Sequence, residues 1–118
     1  MYIDGYLIPV PKANKEKYLE AAKKAAHMFK EYGASRIVEG WGDDVPKGKV
    51  TDFYGAVKSK EDEVVMFSWI EWPSKAVRNE GMKKMMEDAK MKDMDMPFDG
   101  QRMIYGGFDP ILDQDLTG

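Results

Sequence analysis

Two predicted strands are apolar on both of their faces, and this pattern limits the possible folds more than any other feature of the sequence. Residues Tyr2 to Val10 have apolar side chains on both alternations, and residues Val64 to Trp72 are apolar apart from Ser68 and Glu71. Successive side chains of a strand point to opposite faces of the sheet, so both faces of these strands need a cover.

A helical pattern follows each of these strands. Small and apolar residues recur at helical spacing from Asn14 to Tyr32, with Asn14 as a predicted N-cap and Gly33 as a predicted left-handed C-cap. A second helix is predicted from Lys75 to Ala89, with Ser74 as its N-cap and Gly81 as a weak point inside it. The chain therefore alternates strands with amphipathic helices.

Two weaker strands, at residues 34–42 and 102–108, complete the order strand-helix-strand-strand-helix-strand. Right-handed crossovers then favour an α+β, ferredoxin-like βαββαβ fold with one antiparallel sheet, in a single domain over residues 1–118. Both helices of this fold lie on one face of the sheet. A chain of this length has no spare helix for the other face, so the sequence predicts a homodimer whose second copy, related by a two-fold axis, covers it.

The connection between the second and third predicted strands is unusually long. It spans about twenty residues from Asp43, so it is expected to be functional or to carry short structure of its own. Asp43 and Asp44 could hold a hard cation or form an acid and base couple, although aspartates also begin turns through hydrogen bonds to the backbone. Both interpretations stay open, and no metal site is predicted.

The block from Met96 to Phe108 contains a second set of candidate residues. Arg102 could clamp a carboxylate or phosphate group, with Tyr105 as a hydrogen-bond donor and Phe98 nearby. The alternative is an ion pair between Asp99 and Arg102 beside a glycine bulge.

The three tryptophans fit two different roles. Trp41, Trp69 and Trp72 could line a pocket for a flat ligand or anchor a dimer interface, because both kinds of site favour large aromatic side chains. The candidate ligand-binding residues are Trp41, Asp43, Trp69, Phe98, Arg102 and Tyr105.

Composition narrows the chemistry. The chain has no cysteine, which excludes disulfides, thiolate nucleophiles and cysteine-based zinc sites. The net charge of -3 provides no basic field for a nucleic acid. No apolar stretch is long enough to cross a membrane, and the N-terminal residues lack the features of a signal peptide. The expected protein is cytoplasmic, with neither a nucleic-acid nor a membrane partner and without a cofactor.

Four segments of the sequence resemble a known family. MYIDGYLIPVP, GDDVPKGKVTDF, VVMFSWIEWPSKAVR and MPFDGQRMIYGGF are similar, in this order, to the YbaA-like family of uncharacterised bacterial proteins. The resemblance spans nearly the whole chain. It implies the dimeric alpha+beta barrel superfamily, in which two ferredoxin-like protomers pack sheet to sheet, but it implies no catalytic residue.

Three functions are compatible with these patterns. The preferred one is binding of a small organic ligand in a cleft between sheet and helices. A cofactor-free monooxygenase-like or isomerase-like enzyme is an alternative by analogy with the superfamily, and a structural or regulatory dimer without a ligand is another.

Overall fold

The structure, a computed structural model, describes residues 1–118 and contains one four-stranded sheet. The strands are β1 (Tyr2–Pro11), β2 (Arg36–Trp41), β3 (Glu63–Trp72) and β4 (Ile104–Phe108). The helices are α1 (Lys15–Glu31), α2 (Phe53–Ala56), α3 (Lys75–Glu87) and α4 (Ala89–Lys92). None of these helices is long and apolar enough to span a membrane.

The order of the strands in the sheet is β2-β3-β1-β4, and every neighbouring pair is antiparallel. The two strands that are apolar on both alternations, β1 and β3, therefore lie at the centre. They pair along their whole length, from Tyr2 opposite Trp72 to Pro11 opposite Glu63. The predicted α+β class and the antiparallel sheet are confirmed.

One face of the sheet packs against the helices and forms the core. Even-numbered residues of β1 and β3 point to this side. The ring of Trp72 is fully buried and lies in an edge-to-face arrangement with the ring of Phe29, with 6.1 Å between the centroids. The core residues of this layer are Tyr2, Ile8, Val10, Tyr18, Ala25, Met28, Phe29, Met66, Ile70, Trp72 and Met85.

A buried carboxylate joins α3 to this face. Asp4 is 2% exposed and accepts hydrogen bonds from the indole nitrogen of Trp72 at 2.9 Å and from Arg78 at 2.7 and 3.1 Å. Removing a carboxylate from water is costly unless it is paired and hydrogen-bonded, and Arg78 and Trp72 meet that need.

Gly81 lets α3 approach both β3 and α1 closely. A Cβ atom at this position would lie 2.5 Å from the ring of Trp72 and 2.5 Å from the carbonyl oxygen of Tyr32. The glycine that weakens the helix in the sequence is therefore the point at which α3 packs against the core.

The predicted caps have different outcomes. Gly33 follows α1 with a φ of 107°, and Ser74 accepts a hydrogen bond from the backbone N–H of Val77 at 3.1 Å, so both predictions are confirmed. Asn14 occupies the N-cap position of α1, but its side chain donates to the carbonyl of Pro97 at 3.0 Å and does not cap the helix. Asn14 therefore binds α1 to the segment that precedes β4 instead of capping the helix.

The other face of the sheet is only partly covered. The long connection contains the short helix α2, beside which Val57, Pro9 and Val65 are buried. Beyond α2 the face is apolar and exposed, with Phe67 51% and Phe108 62% exposed. We call this surface the open face; its members are Ile3, Gly5, Leu7, Phe53, Phe67, Trp69, Ile104, Gly106, Phe108, Pro110 and Leu112.

Candidate functional site

A cavity of about 390 Å³ lies between the sheet and the helices. Residues of all four strands, of α1, α3 and α4, and of the segment before β4 line it, and 17 of the 20 lining residues are hydrophobic. We call this cavity the cleft. Its size and apolar character are typical of pockets for small molecules, which occupy roughly 300–1,000 Å³.

Methionines form much of its helical wall. They come from α3, from α4 and from the segment that leads to β4, and Met86 is 72% exposed at the mouth of the cleft. Methionine side chains are flexible and polarisable, so this wall can adapt to different ligand shapes. The six methionines are Met82, Met85, Met86, Met91, Met96 and Met103.

Two aromatic pairs also line the cleft. Tyr6 of β1 stacks on Tyr105 of β4 with 5.9 Å between ring centroids, and Tyr18 of α1 packs at a tilt against Phe98 at 5.8 Å. The ring of Tyr105 is largely exposed, whereas Tyr18 is buried. The aromatic surface therefore runs from the mouth to the inner end of the cleft.

The polar end of the cleft is built around Glu39. This residue lies opposite Ser68 in the register of β2 and β3, and both strands present these side chains to α1. The hydroxyl of Tyr18 donates to the two carboxylate oxygens of Glu39 at 2.8 and 3.1 Å, and the hydroxyl of Ser68 donates at 3.1 Å. Sheet register and helix packing thus bring three polar groups together among apolar side chains.

Burial controls the protonation of this group. It raises the pKa of Glu39 above its usual range, even though the hydrogen bonds from Tyr18 and Ser68 favour the carboxylate. Burial, followed by the negative charge of Glu39, raises the pKa of Tyr18, and burial followed by the charge of Asp4 raises that of Tyr6. Both phenols therefore stay protonated, and the hydroxyl of Tyr18 donates its hydrogen bonds to Glu39.

Glu39, which is partly buried, differs from the two buried carboxylates of the fold. Asp4 is paired with Arg78, and Glu63 is paired with Arg102, which holds the pKa of Glu63 below its usual range. Glu39 has hydroxyl partners only, and no arginine, lysine or histidine lines the cleft. The cleft thus contains an acidic group that can accept a hydrogen bond or a proton and has no cationic partner.

The structure separates the six predicted site residues. Phe98 and Tyr105 line the cleft. Trp41, Asp43 and Trp69 border a different depression of about 270 Å³ at the end of β2, on the side of the open face.

Arg102 lines neither the cleft nor the depression at the end of β2. Its side chain is held in ion pairs instead. Its guanidinium group bonds to Glu63 at 2.7 Å and to Asp99 at 2.9 Å, and it donates to the carbonyl of Lys58 at 2.9 Å. The alternative in which Asp99 and Arg102 form an ion pair is the one that the structure shows. Arg102 and Tyr105 do not meet in one pocket.

The tryptophans also take separate positions. Trp72 belongs to the core, and Trp69 lies on the open face beside Phe67, at 6.0 Å between ring centroids. Trp41 packs at the edge of the core with the ammonium group of Lys15 above its ring. None of the three lines the cleft.

Four site residues were missed from the sequence: Tyr6, Tyr18, Glu39 and Ser68. The available signal was Ser68, a polar residue inside a strongly apolar strand. A buried hydroxyl needs a hydrogen-bond partner, and that requirement points to a polar residue on a neighbouring strand. No group of three histidine, cysteine, aspartate or glutamate side chains is placed to hold a metal ion.

Known proteins resemble this chain over nearly its whole length. The family described as "Protein of unknown function (DUF1428)" matches residues 1–100. The "Uncharacterized protein YbaA" of Escherichia coli strain K12 is 58% identical over 115 residues, which cover 96% of this chain and 98% of that relative. The proteins of the same description from Escherichia coli O157:H7 and Shigella flexneri are equally similar. The resemblance noted from the four segments is therefore confirmed, and the chain belongs to the DUF1428 family of proteins of unknown function.

Proposed function

We propose that this protein binds a small organic molecule in the cleft between the sheet and the helices. The observation that carries the proposal is an apolar cavity of about 390 Å³ with a single carboxylate, Glu39, among its lining residues. Apolar walls provide most of the binding free energy in such pockets, and a few placed polar groups fix the orientation of the ligand.

Methionine methyl groups allow a direct test. Six of the ten methionines line the cleft, whereas Met1 and Met66 lie elsewhere. In protein labelled at the methionine methyl carbons, a compound that raises the melting temperature in a metabolite screen is expected to shift the resonances of the six cleft methionines and to leave Met1 and Met66 unchanged. A screen without any stabilising compound would contradict the proposal.

A matched pair of alanine variants separates cleft binding from general effects. Ala22 lines the cleft from α1, whereas Ala26, one turn later, borders a different depression. Ala22→Leu is expected to fill part of the cleft and to abolish the thermal shift that a ligand produces. Ala26→Leu should retain that shift, and an equal response of the two variants would count against the cleft.

We further propose that the protein is a homodimer of ferredoxin-like protomers joined through the open face. The strand order β2-β3-β1-β4 with antiparallel neighbours supports the ferredoxin-like topology. Exposed apolar surfaces of this kind usually mark an interface.

The C-terminal segment supports a second copy of the chain as the occupant. Residues 109–118 have no regular secondary structure, and Ile111, Leu112 and Leu116 project into solvent while Pro110 and Leu112 border the open face. A two-fold axis through this region would cover the apolar face and the apolar tail of both chains in one interface. Light scattering should give twice the protomer mass of 13.5 kDa, and a stable monomer at micromolar concentration would refute the dimer.

A second candidate function is proton transfer by a cofactor-free isomerase. Glu39 favours it, because a partly buried carboxyl with a raised pKa is suited to take a proton from a bound carbon acid and to return it at another carbon. A ligand found in the screen should then gain deuterium at carbon in heavy water with the native protein, and should gain none with Glu39→Gln. Ligands that show no exchange with either protein would leave binding as the function.

A further inference from the structure

We infer that the occupant of the cleft is an organic amine whose ammonium group pairs with the carboxylate of Glu39 while its apolar body lies against the methionine wall. This inference rests on the ligand cleft proposed above and specifies the chemical class of the ligand. It follows from three features of the site: an unmatched carboxylate, the absence of cationic side chains and the aromatic surface beside the carboxylate.

The first feature is the missing counter-charge of Glu39. The fold gives arginine partners to its two most buried carboxylates, with N–O distances of 2.7 Å in both the Asp4–Arg78 and Glu63–Arg102 pairs. Only the hydroxyls of Tyr18 and Ser68 bond to Glu39. Even partial withdrawal of a carboxylate from water is unfavourable without a cation, so a ligand that brings an ammonium group removes a cost that the free protein carries.

The second feature is the charge of the wall. Glu39 is the only charged residue among the side chains that line the cleft. An anionic ligand would therefore meet a charge of its own sign and no opposite charge, whereas a cationic ligand would meet an opposite charge and none of its own sign. The site is built to reject carboxylic acids and to accept amines.

The third feature is the aromatic surface on either side of the cleft. The stacked rings of Tyr6 and Tyr105 and the tilted pair of Tyr18 and Phe98 all border it. Aromatic faces attract cations, and this attraction increases when the site excludes water. The ring of Tyr18 carries the hydroxyl that bonds to Glu39, so the aromatic surface and the carboxylate are adjacent.

Three probes of nearly equal shape test the inference. Phenethylamine, phenethyl alcohol and phenylacetate share one aromatic body and differ in the charge of the terminal group. Calorimetry at neutral pH should show phenethylamine binding about tenfold or more tightly than phenethyl alcohol, because hydrogen bonds to charged groups exceed neutral ones by this margin. Phenylacetate should bind more weakly than either.

Two variants test whether Glu39 is the carboxylate that binds the ammonium group of phenethylamine. Glu39→Gln should reduce the affinity for phenethylamine to that for the alcohol, while Glu20→Gln, which makes the same charge change at an exposed site of α1, should leave the ranking intact. If Glu39→Gln folds poorly, the order of the three probe affinities in the native protein still tests whether the cleft prefers an amine.

The outcomes separate this inference from the proposed function. If the amine and the alcohol bind equally and both shift the cleft methionine resonances, the ligand site stands and the amine assignment is overturned. If phenethylamine shifts only methionines outside the cleft, the amine assignment is likewise overturned. If none of the three probes binds and the metabolite screen is also empty, the ligand site itself fails and the inference fails with it.

Discussion

Glu39 shows how strongly the surroundings of one residue decide its role. In the sequence it is an ordinary acidic residue in a mixed strand, next to Val38 and Gly40. In the fold it lies opposite Ser68 and beneath Tyr18, in a place where burial raises its pKa and no cation lowers it. The side chain thus becomes the only charged group of an apolar cleft.

The raised pKa of Glu39 predicts a stability cost that grows with pH. The folded protein binds this proton more tightly than the unfolded chain, so stability falls as pH rises from the unfolded pKa near 4.5 through the folded value, and is unaffected below both. Glu39→Gln removes the titration. Its melting temperature, relative to the native protein, should therefore rise as pH increases from about 4.5 through the folded pKa of Glu39.

Thermal melts of both proteins across this range provide the measurement. Carboxylates with a lowered pKa, such as Glu63 and Asp52, are present in both proteins and cancel in the difference. A difference in melting temperature that stays constant with pH would show that Glu39 does not titrate differently in the folded state.

The sequence alone could not assign Glu39 to the site. The candidates chosen from sequence were large aromatic residues and charged residues near turns, and of these only Phe98 and Tyr105 line the cleft. Glu39 and Tyr18 are separated by 21 positions and meet only through the packing of α1 on β2. Local patterns contain no information on such a contact, because it depends on helix packing and sheet register.

At the scale of elements, Arg102 holds three segments together. It joins Glu63 at the start of β3, the carbonyl of Lys58 in the preceding turn, and Asp99 before β4. Removing one partner of a buried ion pair leaves the other charge unmatched. Arg102→Ala is therefore expected to lower the free energy of unfolding at neutral pH, which urea denaturation measures as a midpoint at lower urea concentration.

The pH dependence of the stability lost in Arg102→Ala follows from the pKa of Glu63. Arg102 lowers the pKa of that carboxyl, so the stabilisation is present above the unfolded pKa and is lost as pH falls through the folded value. The deficit of Arg102→Ala should shrink in acid. Arg36→Ala, at an exposed position of β2, is the control and should change stability by less than about 0.5 kcal/mol.

The packing of α3 leads to a prediction that opposes helix propensity. Alanine is a better helix former than glycine by about 1 kcal/mol, yet a Cβ at Gly81 would overlap the Trp72 ring and a backbone carbonyl. Gly81→Ala should therefore destabilise the protein by about 1–3 kcal/mol. Gly100→Ala, where no atom lies within 4 Å of the added carbon, should be nearly neutral, and calorimetric melting of both variants measures the contrast.

The elements themselves were largely predictable. The strong strands and both long helices lie within a few residues of their predicted positions, since Gly33, Ser74, Pro11 and Pro73 mark their limits. Strand β4 is shorter than predicted because Gly100 to Arg102 form a 3-10 turn before it. Helix α2 was expected only as unspecified structure, because four residues are too few to show a periodicity.

At the scale of the whole molecule, the two faces of the central strands serve different surfaces. Tyr6 and Ile8 of β1 line the cleft, whereas Ile3 and Leu7 belong to the open face. The helices cover the apolar residues on one face of β1 and β3. The apolar residues on the other face are exposed, and this exposure supports the proposed dimer.

A pair of charge substitutions tests that assembly. Phe67→Glu places a carboxylate in the middle of the open face and should convert the proposed dimer to a monomer in light scattering, because a buried unpaired charge is strongly unfavourable. Leu19→Glu, at an exposed position of α1, should leave the mass unchanged. Retention of the dimer by Phe67→Glu would place the interface elsewhere.

The methionine wall makes the cleft sensitive to oxidants. A leucine wall would be inert to peroxide, but thioethers are oxidised to sulfoxides, and Met86 is 72% exposed at the mouth. Each sulfoxide adds a polar, stereogenic S=O group to an apolar surface, and methionine sulfoxide reductases can reverse the change. The cleft is therefore a surface whose polarity oxidation can change without any alteration of the backbone.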